Sequence, residues 1–205
     1  MSQDLTGVYS VLSLPSAYRF FVRLVGGERA RAAFVREYLR PSAGSRILDI
    51  GCGAGDLLPF LPEGEYVGFD ASPDYVQAAQ ARFSRRGTFL CQRVEEPSGL
   101  PPTSFDLAAA FGVLHHLEDD GARRLFETAG TLLKPGGRLV TLDGCWTNDQ
   151  SRFARWIISR DRGKSVRTPM ALRQLAAGTF DGVEIHVRHD LLRVPYTHVI
   201  MECKK

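Results

Sequence analysis

Long apolar runs are absent from this 205-residue sequence. The longest, Leu107–Leu114, is eight residues, where a membrane-spanning helix needs about 20. No basic leader opens the chain, and Met1–Leu14 includes Asp4 and no basic residue, so neither a secretory signal nor a membrane partner is expected. Cysteine is scarce and scattered: Cys52, Cys91, Cys145 and Cys203 show no CxxC or Cys/His ligand spacing. That speaks against zinc or any other metal and fits thiols kept reduced in a cytoplasmic setting. A charge excess of one sign is missing too. The net charge of +3 is too small to imply a nucleic-acid partner by itself. With 44% hydrophobic and 24% charged residues, disorder, collagen and disulfide-scaffold classes are excluded. Repeats and low-complexity stretches are lacking. Residues 1–205 therefore read as a single soluble domain, long enough to bury roughly 70% of its unfolded surface around a ligand cleft.

What is present is an alternation of strand and helix. Two helices are expected across residues 15–40, with Ser16 capping the first and Gly26-Gly27 between them, giving a helical cap over residues 1–40. Strands follow at Arg46–Ile50, Tyr66–Phe69, Thr88–Cys91, Phe105–Phe111 and Arg138–Leu142, with helices at Pro73–Arg85 and Ala122–Leu133. Parallel strands need crossovers, so this order implies a mostly parallel sheet with helices on both faces. Val183–His189 and Tyr196–Met201 are separated by a short loop and should pair antiparallel. Residues 146–170 fit neither pattern and suit a lid or substrate insert.

The chemistry gathers at Leu48-Asp49-Ile50-Gly51-Cys52-Gly53-Ala54-Gly55, with Asp70 closing the second strand. Glycines after the first strand let a ligand approach the backbone at the carboxyl edge of the sheet, and an acid after strand two suits a ribose diol. A dinucleotide satisfies both. Two features favour a different ligand. The glycines run GxGxG, not GxGxxG, and Asp49 sits where a pyrophosphate would lie. A carboxylate there repels a dianion and attracts a cation. A positively charged nucleoside without phosphate, such as S-adenosylmethionine, meets these demands, whereas NAD does not. An NAD-dependent oxidoreductase is further disfavoured by the absence of a Tyr-x-x-x-Lys pair after strand four.

ILDIGCGAGDLL, YVGFDAS, FDLAAAFGVLHHLEDD and LLKPGGRLVTLDG, in that order, together resemble the class I S-adenosylmethionine-dependent methyltransferases of small-molecule type. The resemblance covers about residues 40–145. It implies a Rossmann-like α/β fold with a seven-stranded sheet in the order 3-2-1-4-5-7-6, strand 7 antiparallel. It also implies that Gly51, Cys52 and Gly53 pass under the methionine part of the cofactor and that Asp49 faces its ammonium. Asp70 would take the ribose, Ala71 and Ser72 would lie near the adenine, and Phe111 and Gly112 would offer backbone near the sulfonium. One departure stands out: the family's Gly-Asp after strand three is replaced by Gln92-Arg93, and arginine has no acceptor for the adenine amine. Gln92, Glu95 or a backbone carbonyl takes that bond, or it is missing; the backbone of Arg93 and Val94 is expected to edge the adenine.

Methyl transfer to a hydroxyl benefits from a general base. His115 and His116 follow strand four, and neighbouring strand residues face opposite ways, so one of them, His115, is expected to face the acceptor; packing or helix capping is the competing role for both. A nucleobase amine would call for an (Asp/Asn)-Pro-Pro-aromatic run and pyrimidine C5 for a Pro-Cys pair; neither is present. The expected acceptor is thus a small molecule, anionic or aromatic, bound by a monomer or homodimer. Asp143, ending strand five, could orient a histidine. Segment 152–167 carries Arg152, Arg155, Arg160, Arg162, Lys164 and Arg167 against Asp161 alone. It reads either as a solvated helix with Phe153, Trp156 and Ile157 inward, or as a lid in which Arg162 and Arg167 grip an anionic acceptor, with Trp146 lining an aromatic pocket. Tyr9, Tyr18 and Arg19 could close over the cofactor. A cofactor-binding protein without turnover, and an RNA-directed enzyme, are the remaining alternatives.

Overall fold

A computed structural model describes residues 26–94, 99–160 and 163–205. Seven strands form one sheet in the order β3-β2-β1-β4-β5-β7-β6: β1 (Arg46–Ile50), β2 (Glu65–Asp70), β3 (Thr88–Cys91), β4 (Phe105–Phe111), β5 (Leu133–Gly144), β6 (Gly182–Arg188) and β7 (His198–Lys204). The first five pair in parallel, and β7 runs antiparallel to both β5 and β6. This is the expected order.

Alternation along the strands divides the core in two. Leu48 and Ile50 of β1 join Phe105, Phe126 and Leu139 on one face, covered by helix α3 (Asp119–Leu132) and helix α5 (Pro169–Ala176). Ile47, Ala109, Val140 and Ile200 face the other way, under helix α1 (Gly27–Ala33) and helix α2 (Pro73–Phe83). Helix α1 continues as a π-helical stretch, Phe34–Leu39. Fully buried Phe34, Phe69, Phe105 and Phe126 anchor the two layers, each contributing about 1.5–3 kcal/mol. Local chemistry starts the helices. Ser72 accepts from the Tyr75 amide ahead of Pro73, and Thr168 accepts from the Ala171 amide ahead of Pro169.

Several boundaries move. Helix α3 begins at Asp119, where Asp119 and Asp120 complement the positive end of its dipole, and ends at Leu132. The β5 strand starts at Leu133, runs through Pro135-Gly136-Gly137 and carries a register irregularity opposite β4 before Arg138. Between β1 and β2 the chain makes only a 3₁₀ turn, Leu58–Phe60, Pro59 having no amide to extend it. Among the described residues, no helix is long and apolar enough to cross a membrane. The first expected helix, with Tyr9, Tyr18 and Arg19, lies outside the described residues, as do Glu95, Asp161 and Arg162.

Candidate active site

The turn leaving β1 is shaped by two glycines with different duties. Gly51 has φ +69°, and a Cβ there would meet Val113 Cγ2 at 2.6 Å; Gly53 has φ +53° and faces open space. The Gly51 and Cys52 amides both donate to the Phe69 carbonyl, at 2.8 and 3.0 Å, folding the turn back onto β2. Asp70 then bridges it: one oxygen accepts from the Gly53 amide at 3.0 Å and the other from the Ser72 amide at 2.9 Å. Burial raises the Asp70 pKa against these amide bonds. Each carboxylate oxygen still has a second lone pair, so a diol could be accepted without undoing the bridge.

Asp49 lies on the α1 side of the sheet and is 2% exposed. Tyr66 donates its hydroxyl to Asp49 at 2.6 Å. Burial nonetheless pushes the Asp49 pKa up to about 7, with Tyr66 pulling against it and Asp70 adding to it. In a site this dry the Asp49 charge depends on pH near neutrality. The Cys52 thiol is driven far up by burial and by Asp49, so it packs and does not act as a nucleophile. Sequence reasoning missed Arg31. Its guanidinium lies 5.5 Å from the Phe111 ring centroid and 3.7 Å from Asp56, with the side chain 13% exposed. The signal was there: Arg31 sits between buried Ala30 and Ala33 and one helical turn before Phe34, which packs edge-on against Phe111 at 5.3 Å.

At the end of β4, Gly112 (φ +72°) turns the chain into a 3₁₀ turn, Leu114–His116. Alternating strand geometry therefore does not govern the two histidines. Their rings pack together at 4.1 Å. His115 Nδ1 lies 2.8 Å from Asp143 Oδ1, and the same oxygen accepts the His115 amide at 3.2 Å. The Asp143 side chain is 1% exposed; burial raises its pKa, and His115 pulls it back. With Asp143 ionised, the ring proton sits on Nδ1, leaving a lone pair on Nε2. The buried carboxylate thus fixes the orientation of the His115 ring.

The 146–170 segment closes on that turn. Trp146, half-buried after β5, lies under the Arg155 guanidinium at 5.4 Å. Helix α4 (Arg152–Ser159) buries Ala154 and Ile158, an i, i+4 pair, while Phe153 and Trp156 are 55% and 54% exposed and stack at 5.8 Å. The expected inward aromatic face is thus reversed, and Arg160 lies over Trp156. Arg167 departs from its expected role as an acceptor ligand. It donates to the carbonyls of Leu114, Ser165 and Leu117 and to Asp119, with the side chain 10% exposed. After β3, Arg93 is exposed and Val94 turns into the core, its carbonyl accepting from the Thr128 hydroxyl at 3.0 Å. Ala71 and Ser72 border the Asp70 bridge, half-buried.

The sheet order, the glycine turn after β1 and the acid that closes β2 together define a Rossmann-like α/β fold. Residues 48–139, somewhat under half of the chain, match the family model described as a methyltransferase domain. The chain is 34% identical over 104 residues to a ubiquinone biosynthesis O-methyltransferase of Xylella fastidiosa, covering 48% of this chain and 42% of the relative. A namesake from Bradyrhizobium is 37% identical over 111 residues, covering 51% and 42%. The chain thus spans less than half the length of these curated relatives. Among solved structures, phosphoethanolamine N-methyltransferase 2 of Haemonchus contortus, in complex with S-adenosylhomocysteine, superposes with a TM-score of 0.74. That match has 18% identity and covers 96% of this chain and 58% of the other.

Proposed function

We propose that this protein transfers the methyl group of S-adenosylmethionine to a phenolic hydroxyl of a small aromatic acceptor. The observation that carries this reading is the His115–Asp143 pair, held at 2.8 Å one turn beyond β4 and beside the glycine cradle. The O-methyltransferase names of the relatives support the hydroxyl acceptor. The cofactor fits the residues present. Open space over Gly53 admits a ligand against the backbone. Asp49 and Arg31 answer the ammonium and carboxylate of an amino-acid tail, with Gly51 and Cys52 beneath it. Asp70 accepts the ribose hydroxyls, Ala71, Arg93 and Val94 border the base, and Phe111 and Gly112 approach the sulfonium.

When bound, S-adenosylmethionine supplies an activated methyl group whose bond pair leaves with sulfur as the acceptor oxygen takes the carbon. The chain's task is alignment, dryness and one proton. His115 Nε2 receives the hydroxyl proton while Asp143 holds Nδ1 and stabilises the imidazolium. A phenol, with a pKa near 10 like tyrosine, yields its proton to an imidazole more readily than an aliphatic alcohol does. His116 packs on the His115 ring and Trp146 walls the acceptor side. The test is turnover with 3,4-dihydroxybenzoate and related catechols, following S-adenosylhomocysteine release. His115→Gln should lower kcat by about 10²–10⁴-fold with S-adenosylhomocysteine affinity within twofold. Undiminished kcat in that variant, or no release with any phenol, overturns the reading.

A further inference from the structure

The histidine turn is gripped from two sides, and only one grip belongs to the sheet. Asp143 holds the His115 ring and amide from β5. Opposite, residues 163–167 cross the turn as a strap. The Ser165 amide donates to the His115 carbonyl at 3.0 Å. A Cβ at buried Gly163 would overlap both His115 Cδ2 and that carbonyl, so the strap lies directly on the imidazole. Arg167 fastens it. Its Nη1 donates to Leu114 O and Ser165 O, each at 3.0 Å, its Nη2 to Leu117 O at 2.7 Å, and its Nε to Asp119 at 2.9 Å, with Asp119 also 2.8 Å from Nη2. The guanidinium thus makes four hydrogen bonds, reinforced by the ion pair with Asp119. The Arg167 backbone is in turn fixed to the end of β5, where its carbonyl accepts from the Trp146 amide at 3.0 Å and a parallel bridge joins it to Cys145.

Resting on the reading of His115 as the base, we infer that Arg167 is a positioning residue that clamps the 114–117 turn beneath the 163–167 strap and thereby sets the direction of the His115 imidazole. The fork geometry matters here. Arg167 spans carbonyls before and after His115 in one plane, which the point charge of lysine does not reproduce. Gly163 belongs to the same device, because only hydrogen in place of a side chain lets the strap rest on the ring. The arrangement also explains why the turn holds a buried carboxylate on one side and a guanidinium on the other: both charges are consumed in fixing one small loop.

The experiment compares Arg167→Lys with the wild-type chain by three readouts: S-adenosylhomocysteine affinity by calorimetry, kcat and KM with 3,4-dihydroxybenzoate, and nitrogen-15 histidine spectra over pH, with His115 assigned through His115→Gln. A clamp predicts unchanged cofactor affinity, kcat lowered about tenfold or more, KM within threefold, and a His115 resonance that shifts or broadens while those of His189 and His198 stay put. A raised acceptor KM with unaltered kcat and His115 resonance would make Arg167 an acceptor ligand and overturn the inference, as would no change in any readout. Should Arg167→Lys fail to fold, Asp119→Asn replaces it, since Asp119 is 62% exposed, and an unmoved His115 resonance there is equally fatal. If the wild-type chain methylates no phenol, the proposed function fails, while the histidine spectra still decide the clamp.

Discussion

At the scale of single residues, the cleft depends on a carboxylate poised between two charge states. Asp49 is buried against Tyr66, and its pKa is pushed up to about 7 because desolvation outweighs the tyrosine bond. A cation binds only the ionised form, so binding must release a proton wherever the free protein is protonated. The sign follows: raising pH strengthens binding until Asp49 is already ionised, and then the effect stops. Between pH 6 and 7.5 the Kd for S-adenosylmethionine should fall roughly eightfold and flatten above that, as measured by calorimetry. Tyr66→Phe removes the one hydrogen bond that lowers the Asp49 pKa, so the same curve should move to higher pH. A pH-independent Kd in the wild type would show that Asp49 does not meet the cationic group.

At the scale of elements, the glycine turn separates two requirements that a motif merges. Gly51 is dictated by packing as well as by φ, since a Cβ would strike Val113 Cγ2 at 2.6 Å, whereas Gly53 meets nothing. Gly51→Ala should therefore lower the melting temperature, and Val113→Ala should recover part of that loss. Gly53→Ala should cost only about 1 kcal/mol of backbone strain yet weaken S-adenosylhomocysteine binding at least tenfold. Equal stability losses in the two alanine variants would contradict this division. The mostly parallel sheet and the cradle were legible because apolar strands, turn glycines and an acid after β2 are local patterns, whereas the strand order followed from the family resemblance. Asp143 was legible as a histidine partner for the same reason, as the polar end of a buried strand. Other features were not. Arg31 reaches the cleft only through the packing of α1 on Phe111, and Arg167 reads as a surface cation until the carbonyls of a turn some 50 residues away are placed around it. The outward stack of Phe153 and Trp156 was misread because Ala154 and Ile158 form a narrower apolar stripe that wins the inner face.

At the scale of the whole molecule, the site works against the stability of the fold that carries it. A carboxylate raised in the folded state stabilises that state fully below its unfolded pKa, and the contribution is lost as pH rises through the folded value. For Asp49 the window runs from 3.8 to about 7, which amounts to about 4 kcal/mol at 1.36 kcal/mol per unit. Asp70 and Asp143 shift in the same direction through burial. Glu37, Asp106 and Asp190, held down chiefly by Arg188 and Lys134, act oppositely and lose their contribution as the solution becomes acidic. The ligand-free protein should therefore be most stable on the mildly acidic side of neutrality. Asp49→Asn keeps an acceptor for the Tyr66 hydroxyl and cannot ionise. At pH 8 it should melt on the order of 8–16 °C above the wild type, at about 2–4 °C per kcal/mol for a chain of this size. At pH 5 the gap should narrow to roughly 3–6 °C, because only the unfolded carboxyl is ionised there, about 1.2 units above its pKa of 3.8. The same variant should lose most of the thermal shift that S-adenosylhomocysteine gives the wild type at pH 8, since the stabilising ligand no longer meets its charge. Thermal melts of both proteins at the two pH values, with and without S-adenosylhomocysteine, check all three outcomes. A variant less stable than the wild type at pH 8 would mean that the buried charge is already compensated without ligand, and the electrostatic selection of a cation would lose its basis.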